Sequence, residues 1–179
     1  MSTVRDIHRG RVVHLTIEEV TLPNGYVMPL EIVRHPGAAA VVPIDDHGNV
    51  TLIRQYRHAV GGYLWEIPAG KLEPDESPLT CAARELAEEV GLEATTLDSI
   101  GSVVTCPGFC DEVIHLFLAS GLRRVPMHRG VDEVIESVST VPLASALAMI
   151  RTGAIRDSKT IAGLVQASLR KELIGSGAP

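Results

Sequence analysis

Aromatic residues are scarce: one Trp, three Tyr and two Phe make up 3% of 179 residues. So few rings cannot furnish a stacking platform for single-stranded nucleic acid. A basic excess is missing too. The formal net charge of −6 argues against partners that want a basic surface, such as nucleic acid or an anionic membrane. Cysteine is limited to Cys81, Cys106 and Cys110, with no CxxC pair. An odd count at such spacing reads as reduced thiols in a cytoplasmic protein, not as a disulfide framework. No apolar run approaches the length of a membrane span, and the first residues, MSTVRDIHRGRVV, carry no apolar signal core. The seven histidines form no HxxxH or HxH pattern, so a zinc site is not expected. Ser102, Ser120 and Ser139 sit in no nucleophile elbow.

What is present is an ordinary globular chain, 45% hydrophobic and 21% charged. Its length suits one domain that buries about 70% of its unfolded surface without covalent staples. Residues 1–10 are polar and read as loosely ordered. Residues 11–20 alternate as a half-buried strand. Leu22-Pro23-Asn24-Gly25 then makes a hairpin turn to a partner strand over 26–34. Two strands alone are marginal in water, so this hairpin must pack on the rest of the chain or on a second subunit. Residues 38–44 are apolar without alternation, the pattern of a strand buried on both faces. Residues 50–56 form the return strand after a turn at 45–49. Strands are expected at 94–105, 112–119 and 134–141, with a loop at 106–111 and an irregular stretch at 123–130. Helices are expected at 143–151 and 158–173. The organisation is a 1–36 hairpin arm, a 37–174 domain and a 175–179 tail. The fold class is α+β, an α/β/α layered arrangement around a mixed β-sheet core. Trp65 reads as core packing, and Cys106 and Cys110 as simple loop thiols.

The densest chemistry lies between Gly70 and Leu92, GKLEPDESPLTCAARELAEEVGL. Ser77 is a natural N-cap, Pro78 a first helical residue and Gly91 a C-terminal stop. Leu79, Ala82 or Ala83, Leu86 and Val90 form one apolar stripe, which leaves the acidic face over solvent or a cleft. On that face stand Glu85, Glu88 and Glu89. Like charges three and four apart destabilise an isolated helix. Glu85 and Glu89 lie about 6 Å apart along the axis, a spacing that lets them share or flank a divalent cation. Hard cations such as Mg²⁺ bridge carboxylates to substrate phosphates.

The stretch reads Gly70, five residues, Glu76, seven residues, Arg84-Glu85-Leu86, one residue, Glu88-Glu89, one residue, Gly91-Leu92. It resembles the signature of the Nudix hydrolases, which cleave nucleoside diphosphates linked to another moiety. The resemblance implies a loop–helix–loop with metal on Glu85 and Glu89, the Ala69 carbonyl as a further ligand, and Glu88 facing the same site. It also implies an ion pair between Glu76 and Arg84 that locks the loop on the helix; Arg84 is counted with the catalytic group on that basis.

A second resemblance is to the ADP-ribose pyrophosphatases of that superfamily. It rests on Pro107, fifteen residues beyond Leu92, and on Arg54-Gln55-Tyr56-Arg57, residues 64–70 and residues 155–162. It implies Mg²⁺-dependent cleavage of ADP-ribose to AMP and ribose 5-phosphate, with Mn²⁺ as a substitute. It further implies a homodimer in which the hairpin arm of one subunit serves the other's site. Arg54 and Arg57 become candidate phosphate or ribose contacts, with Glu66 and Glu31 as weaker candidates and Pro107 and Gly108 as the substrate loop. In the acidic loop Gly130-Val131-Asp132-Glu133, Glu133 aligns with a metal-ligand glutamate. Val131 stands where the family often has its general base, so either the base lies elsewhere, at Glu133, Glu112 or Glu88, or a metal-bound hydroxide suffices; Glu133 is favoured and Glu112 follows. The alternatives are a Nudix hydrolase for another nucleoside diphosphate sugar or a dinucleotide, and a non-catalytic module that senses ADP-ribose.

Overall fold

The structure is a computed structural model that describes residues 4–128, 130 and 133–175, with side chains through Arg170. It begins with a three-stranded antiparallel sheet of β1 (Val4–Arg9), β2 (His14–Thr21) and β3 (Val27–Arg34). The turn between β2 and β3 closes as the sequence predicts, with Gly25 N–H donating to Leu22 O at 2.8 Å. Residues 1–10 differ from the expectation of loose order. The described part forms β1, because β2 offers it a free edge and Asp6 pairs with His14 at 2.6 Å. Polar composition misleads there, since the side chains of β1 stay exposed while its backbone is paired.

The body holds two further sheets. One runs β7 (Ala69–Lys71), β4 (Ala38–Pro43), β9 (Val113–Arg124), β8 (Leu92–Val104), with β4 and β9 parallel. The other runs β10 (Ile135–Pro142), β5 (Asn49–Arg57), β6 (Gly62–Glu66), all antiparallel. β4 is buried along its whole length, and its alternation splits the core. Ala38, Ala40 and Val42 join Leu52, Ile67 and Leu116 under α2 (Leu143–Arg151) and α3 (Ser158–Gly175). Ala39 and Val41 face the other way, against Ile53, Phe117 and the inner face of α1 (Pro78–Val90). Helices on both sides of a mixed sheet give the expected α/β/α layers. Among the described residues no helix is long and apolar enough to cross a membrane.

Two expected boundaries shift. β9 continues to Arg124, into the stretch read as irregular, because Leu92 pairs with Arg124 where β8 begins. α3 ends at Gly175, so the expected tail begins one residue later, outside the described residues. β7 was not expected at all: three residues carry too little pattern, and their pairing with Ala38–Ala40 exists only in the assembled sheet.

Candidate functional site

α1 starts and stops as its caps dictate. Ser77 Oγ accepts from Thr80 N–H at 3.1 Å, and Gly91, at φ 63°, donates to Ala87 O. Its inner face buries Cys81, Ala82, Leu86 and Val90. Leu79, expected in that stripe, is 48% exposed. The place beside Ala82 and Leu86 goes instead to Glu85 and Glu89, only 4% and 1% exposed. The expectation that all three helix carboxylates lie off the buried stripe therefore holds for Glu88 alone. The cause is β7, which lies across this end of the helix. A Cβ at Gly70 would fall 1.7 Å from Glu85 Oε1, so only glycine admits that carboxylate. One residue earlier, Ala69 N–H donates to Glu89 Oε2 at 2.9 Å.

Glu133 completes the group. One carboxylate oxygen from each of Glu85, Glu89 and Glu133 lies within 4.8 Å of the others. Burial pushes the Glu89 carboxyl from its ordinary 4.5 to about 8; the Ala69 N–H opposes the rise, and Glu85 and Glu133 add to it. Burial likewise raises Glu85, against the pull of Arg84. Three inward carboxylates in low dielectric repel one another and favour protonation unless a cation balances them. The donors are all hard oxygens, they converge, and Gly70 makes the room that lets the Glu85 carboxylate join them. This set fits a divalent cation of the Mg²⁺ class.

Arg84 holds the frame of this site. It donates to both oxygens of Glu76 at 2.9 Å, to Glu85 Oε1 at 2.6 Å, to Glu88 Oε2 at 3.1 Å and to Lys71 O at 3.2 Å. The hydrogen bonds from Arg84 hold Glu76 down at about 2. The expected Glu76–Arg84 lock is present. With its donors on Glu76, Glu85, Glu88 and the Lys71 carbonyl, Arg84 braces the helix against the 71–76 loop. Glu88 is held by Arg84 and stands at the rim, with its side chain 38% exposed.

The two arginines of the 54–57 stretch diverge, as alternation on β5 requires. Arg54 pairs with Glu136 and lies 5.1 Å above the Tyr63 ring. Arg57 forks onto Glu66, Nε to Oε1 at 2.8 Å and Nη2 to Oε2 at 2.7 Å, and lies within the field of Glu89. Glu66 is 1% exposed and also pairs with Lys159. Burial works to raise its pKa, but Arg57 and Lys159 outweigh it, and the net shift is downward. A carboxylate so enclosed anchors Arg57, and both of its oxygens are engaged by Arg57 and Lys159.

Other candidates lie apart from the three-carboxylate group. Glu112 accepts from Thr105 Oγ1 at 2.8 Å and stands 3.4 Å from His35 Nδ1. That fixes it at the base of the 106–111 loop. Glu31 is exposed on β3, in register with Ile17. Pro107 faces the arm, in a cavity of about 280 Å³ shared with Glu18, Leu30, Arg34 and Asp111. Gly108 follows in the same turn, closed by Cys110 N–H on Cys106 O at 2.8 Å. Arm and loop are joined by Val33 N–H on Phe109 O at 2.7 Å and by Arg34, which bridges Glu18 and Asp111. Val131 lies outside the described residues. Sequence reasoning gave no individual role to Asp157, Lys159 and Thr160: Lys159 reaches Glu66 and Thr160 reaches Ile67 from the start of α3, and Asp157 accepts from both. The available signal was their place in the 155–162 stretch on which the second resemblance rests.

Comparison with known proteins extends these observations. The family described as NUDIX domain matches residues 33–164. A "Methanol dehydrogenase activator" of Bacillus methanolicus is 43% identical over 169 residues, covering 93% of this chain and 91% of that protein. An "ADP-ribose pyrophosphatase" of Bacillus subtilis (strain 168) is 40% identical over 168 residues, with the same coverage. A solved structure described as "ADP compounds hydrolase" superposes with a TM-score of 0.83 at 24% identity, over 98% of this chain and 94% of that one. At that identity it speaks for the fold.

Proposed function

The chain belongs to the NUDIX domain family, and on that premise we propose that it hydrolyses the pyrophosphate bond of ADP-ribose to AMP and ribose 5-phosphate. The observation that carries this reading is the buried convergence of Glu85, Glu89 and Glu133 at the end of a family-defining helix. Mg²⁺, or Mn²⁺ in its place, is the working cation, held by these three carboxylates and by the carbonyl of Ala69. When bound, such an ion neutralises phosphate oxygens and lowers the pKa of water.

The chain's own groups do the remaining work. Arg57, anchored by Glu66, presents its outer edge to the pyrophosphate, where a planar guanidinium matches phosphate oxygens. Arg54 exchanges its Glu136 partner for substrate, and the Tyr63 ring keeps it oriented. Glu133 is half-buried, so it can reach both the buried carboxylates and incoming water; it accepts the proton of the attacking water. Glu112, in the loop base, and then Glu88, at the rim, follow as alternative bases. Pro107 and Gly108 shape the substrate loop.

The arm of residues 1–36 serves dimerisation in this reading, with the catalytic domain from residue 37 through the end of α3 at Gly175 and a short tail after it. Its exposed Val4, Ile7, Tyr26 and Val27 suit a second copy of the chain, and Glu31 then faces the partner's site. The three thiols are free, which suits a reducing, cytoplasmic setting.

Steady-state hydrolysis of ADP-ribose, GDP-mannose and diadenosine polyphosphates, with Mg²⁺ and with Mn²⁺ and with products identified, tests the proposal. ADP-ribose should give the highest kcat/KM. A preference for another substrate reassigns the specificity. Binding of ADP-ribose without cleavage of any compound makes the protein a sensor.

A further inference from the structure

Four charged side chains run in a line from the start of α3 to the edge of the carboxylate site. Asp157 Oδ2 accepts from Thr160 N–H at 3.0 Å and from Thr160 Oγ1 at 2.6 Å, which caps the helix. The same oxygen accepts from Lys159 Nζ at 3.0 Å. Lys159 also donates to Glu66, ninety-three residues away, and Glu66 holds Arg57 by two parallel bonds. Thr160 Oγ1 accepts from Ile67 N–H at 2.9 Å, so the helix start is tied to the strand end by a second link. Lys159 is 9% exposed and Glu66 1%, whereas the Arg57 side chain is 40% exposed. The line is thus buried at one end and open at the other. Among the described residues, the third guanidinium nitrogen of Arg57 has no hydrogen-bond partner.

We infer that Lys159 is a positioning residue for catalysis, acting through Glu66 to orient Arg57 and to keep its charge available to the pyrophosphate. The inference rests on the proposed function for the identity of that ligand. Two effects combine. Lys159 and Arg57 share the Glu66 carboxylate, so neither fully neutralises it. As the line stands, its charges, Asp157 and Glu66 against Lys159 and Arg57, sum to zero. Without the ammonium the line carries a net negative charge beside Glu85, Glu89 and Glu133, where an anionic substrate must enter. The second effect is geometric. A carboxylate held from one side only can swing, and the guanidinium fork moves with it.

Lys159→Met keeps the length of the stem and removes the charge. The expected result is a rise of about tenfold in KM for ADP-ribose, the scale on which a linked network shifts binding, with a smaller change in kcat. Lys159→Arg keeps the charge and recovers most of the KM. The decisive measurement is the double-mutant cycle with Arg57→Met. If Lys159 acts through Arg57, adding Lys159→Met to Arg57→Met changes KM by less than about twofold. Independent losses that multiply overturn the proposal. So does an unchanged KM in Lys159→Met with a lowered Tm, which makes Lys159 a fold anchor and no more. Should Lys159→Met fail to fold, Lys159→Gln carries the same cycle. Calorimetric affinity for methylenediphosphonate with Mg²⁺ gives a readout independent of turnover. A wild-type protein that binds this probe but leaves ADP-ribose intact refutes the proposed activity, while the same cycle read as affinity for the probe still decides the role of Lys159.

Discussion

Replacing Glu89 with glutamine should stabilise the metal-free protein while abolishing its activity, and the stabilisation should grow with pH. Glu89 is 1% exposed, and burial lifts its pKa from 4.5 to about 8. Below pH 4.5 the carboxyl is protonated in both folded and unfolded chains and costs nothing. Between pH 4.5 and 8 the unfolded chain releases the proton and the folded one retains it, so stability falls as pH rises. Above pH 8 the penalty levels off. At 1.36 kcal/mol per pKa unit, the linkage comes to on the order of 1 kcal/mol at pH 5 and on the order of 3 kcal/mol at pH 7. For a domain of this size 1 kcal/mol moves Tm by about 2–4 °C. In chelator, Glu89→Gln should therefore melt about 6–12 °C above the wild type at pH 7 and close to it at pH 5. Added Mg²⁺ should reverse the order, because a ligand of the folded state stabilises by mass action and the variant has lost a ligand. Turnover of Glu89→Gln at saturating Mg²⁺ should be lower by orders of magnitude. The assay is thermal melting of both proteins in chelator and in Mg²⁺ from pH 5 to 9. A wild-type minus variant difference that is flat with pH, or that favours the wild type without metal, refutes the account of Glu89 as a buried carboxylate awaiting a cation.

Gly70→Ala should fold but lose nearly all activity, since the new Cβ falls 1.7 Å from Glu85 Oε1 and must evict that carboxylate; calorimetric Mg²⁺ affinity and turnover should fall together. Glu133→Gln should cost more than about hundredfold in kcat, the range for a general base, and Glu112→Gln less than about tenfold; a reversed order moves the proton acceptor to the 106–111 loop. Glu76, held at about 2 by Arg84, contributes stability that is complete above pH 4.5 and lost as pH falls towards 2. Glu76→Gln should accordingly flatten the acid limb of the stability profile over that range. Thr160→Val keeps the volume but leaves the Ile67 N–H without an acceptor, and should cost about 1–3 kcal/mol in urea unfolding.

Much of the fold is legible in the sequence because local rules agree with tertiary ones. β4 reads as a strand buried on both faces because Ala38 to Val42 carry no polar residue, and each face finds its own half of the core. The caps of α1 are legible because Ser77, Pro78 and Gly91 each do one local job. β7 and the extension of β9 to Arg124 are not legible, since both exist only through partners supplied by distant chain, Ala38–Ala40 and Leu92. Polar β1 fails for a related reason: backbone pairing on an exposed edge leaves no hydrophobic pattern to read.

The candidate site divides along the same line. Charged residues on one helix face announce themselves, so Glu85 and Glu89 can be read directly, whereas the Glu76–Arg84 brace follows only from the family resemblance. What periodicity misses is which of the carboxylates is buried. On a bare helix Glu85, Glu88 and Glu89 are equivalent neighbours. They part only when β7 covers two of them, and β7 can do so only because residue 70 lacks a Cβ. The same strand end then supplies the Ala69 N–H to Glu89, and the turn before it is pinned by Thr160 on Ile67 and by Lys159 on Glu66. The helix thus provides the charges, and residues 66–70 with the head of α3 provide the burial that makes those charges need a cation. A change at Lys159 or Thr160, more than sixty residues from any glutamate of α1, should on this reasoning alter the site through residues 66–70, before it alters the helix itself.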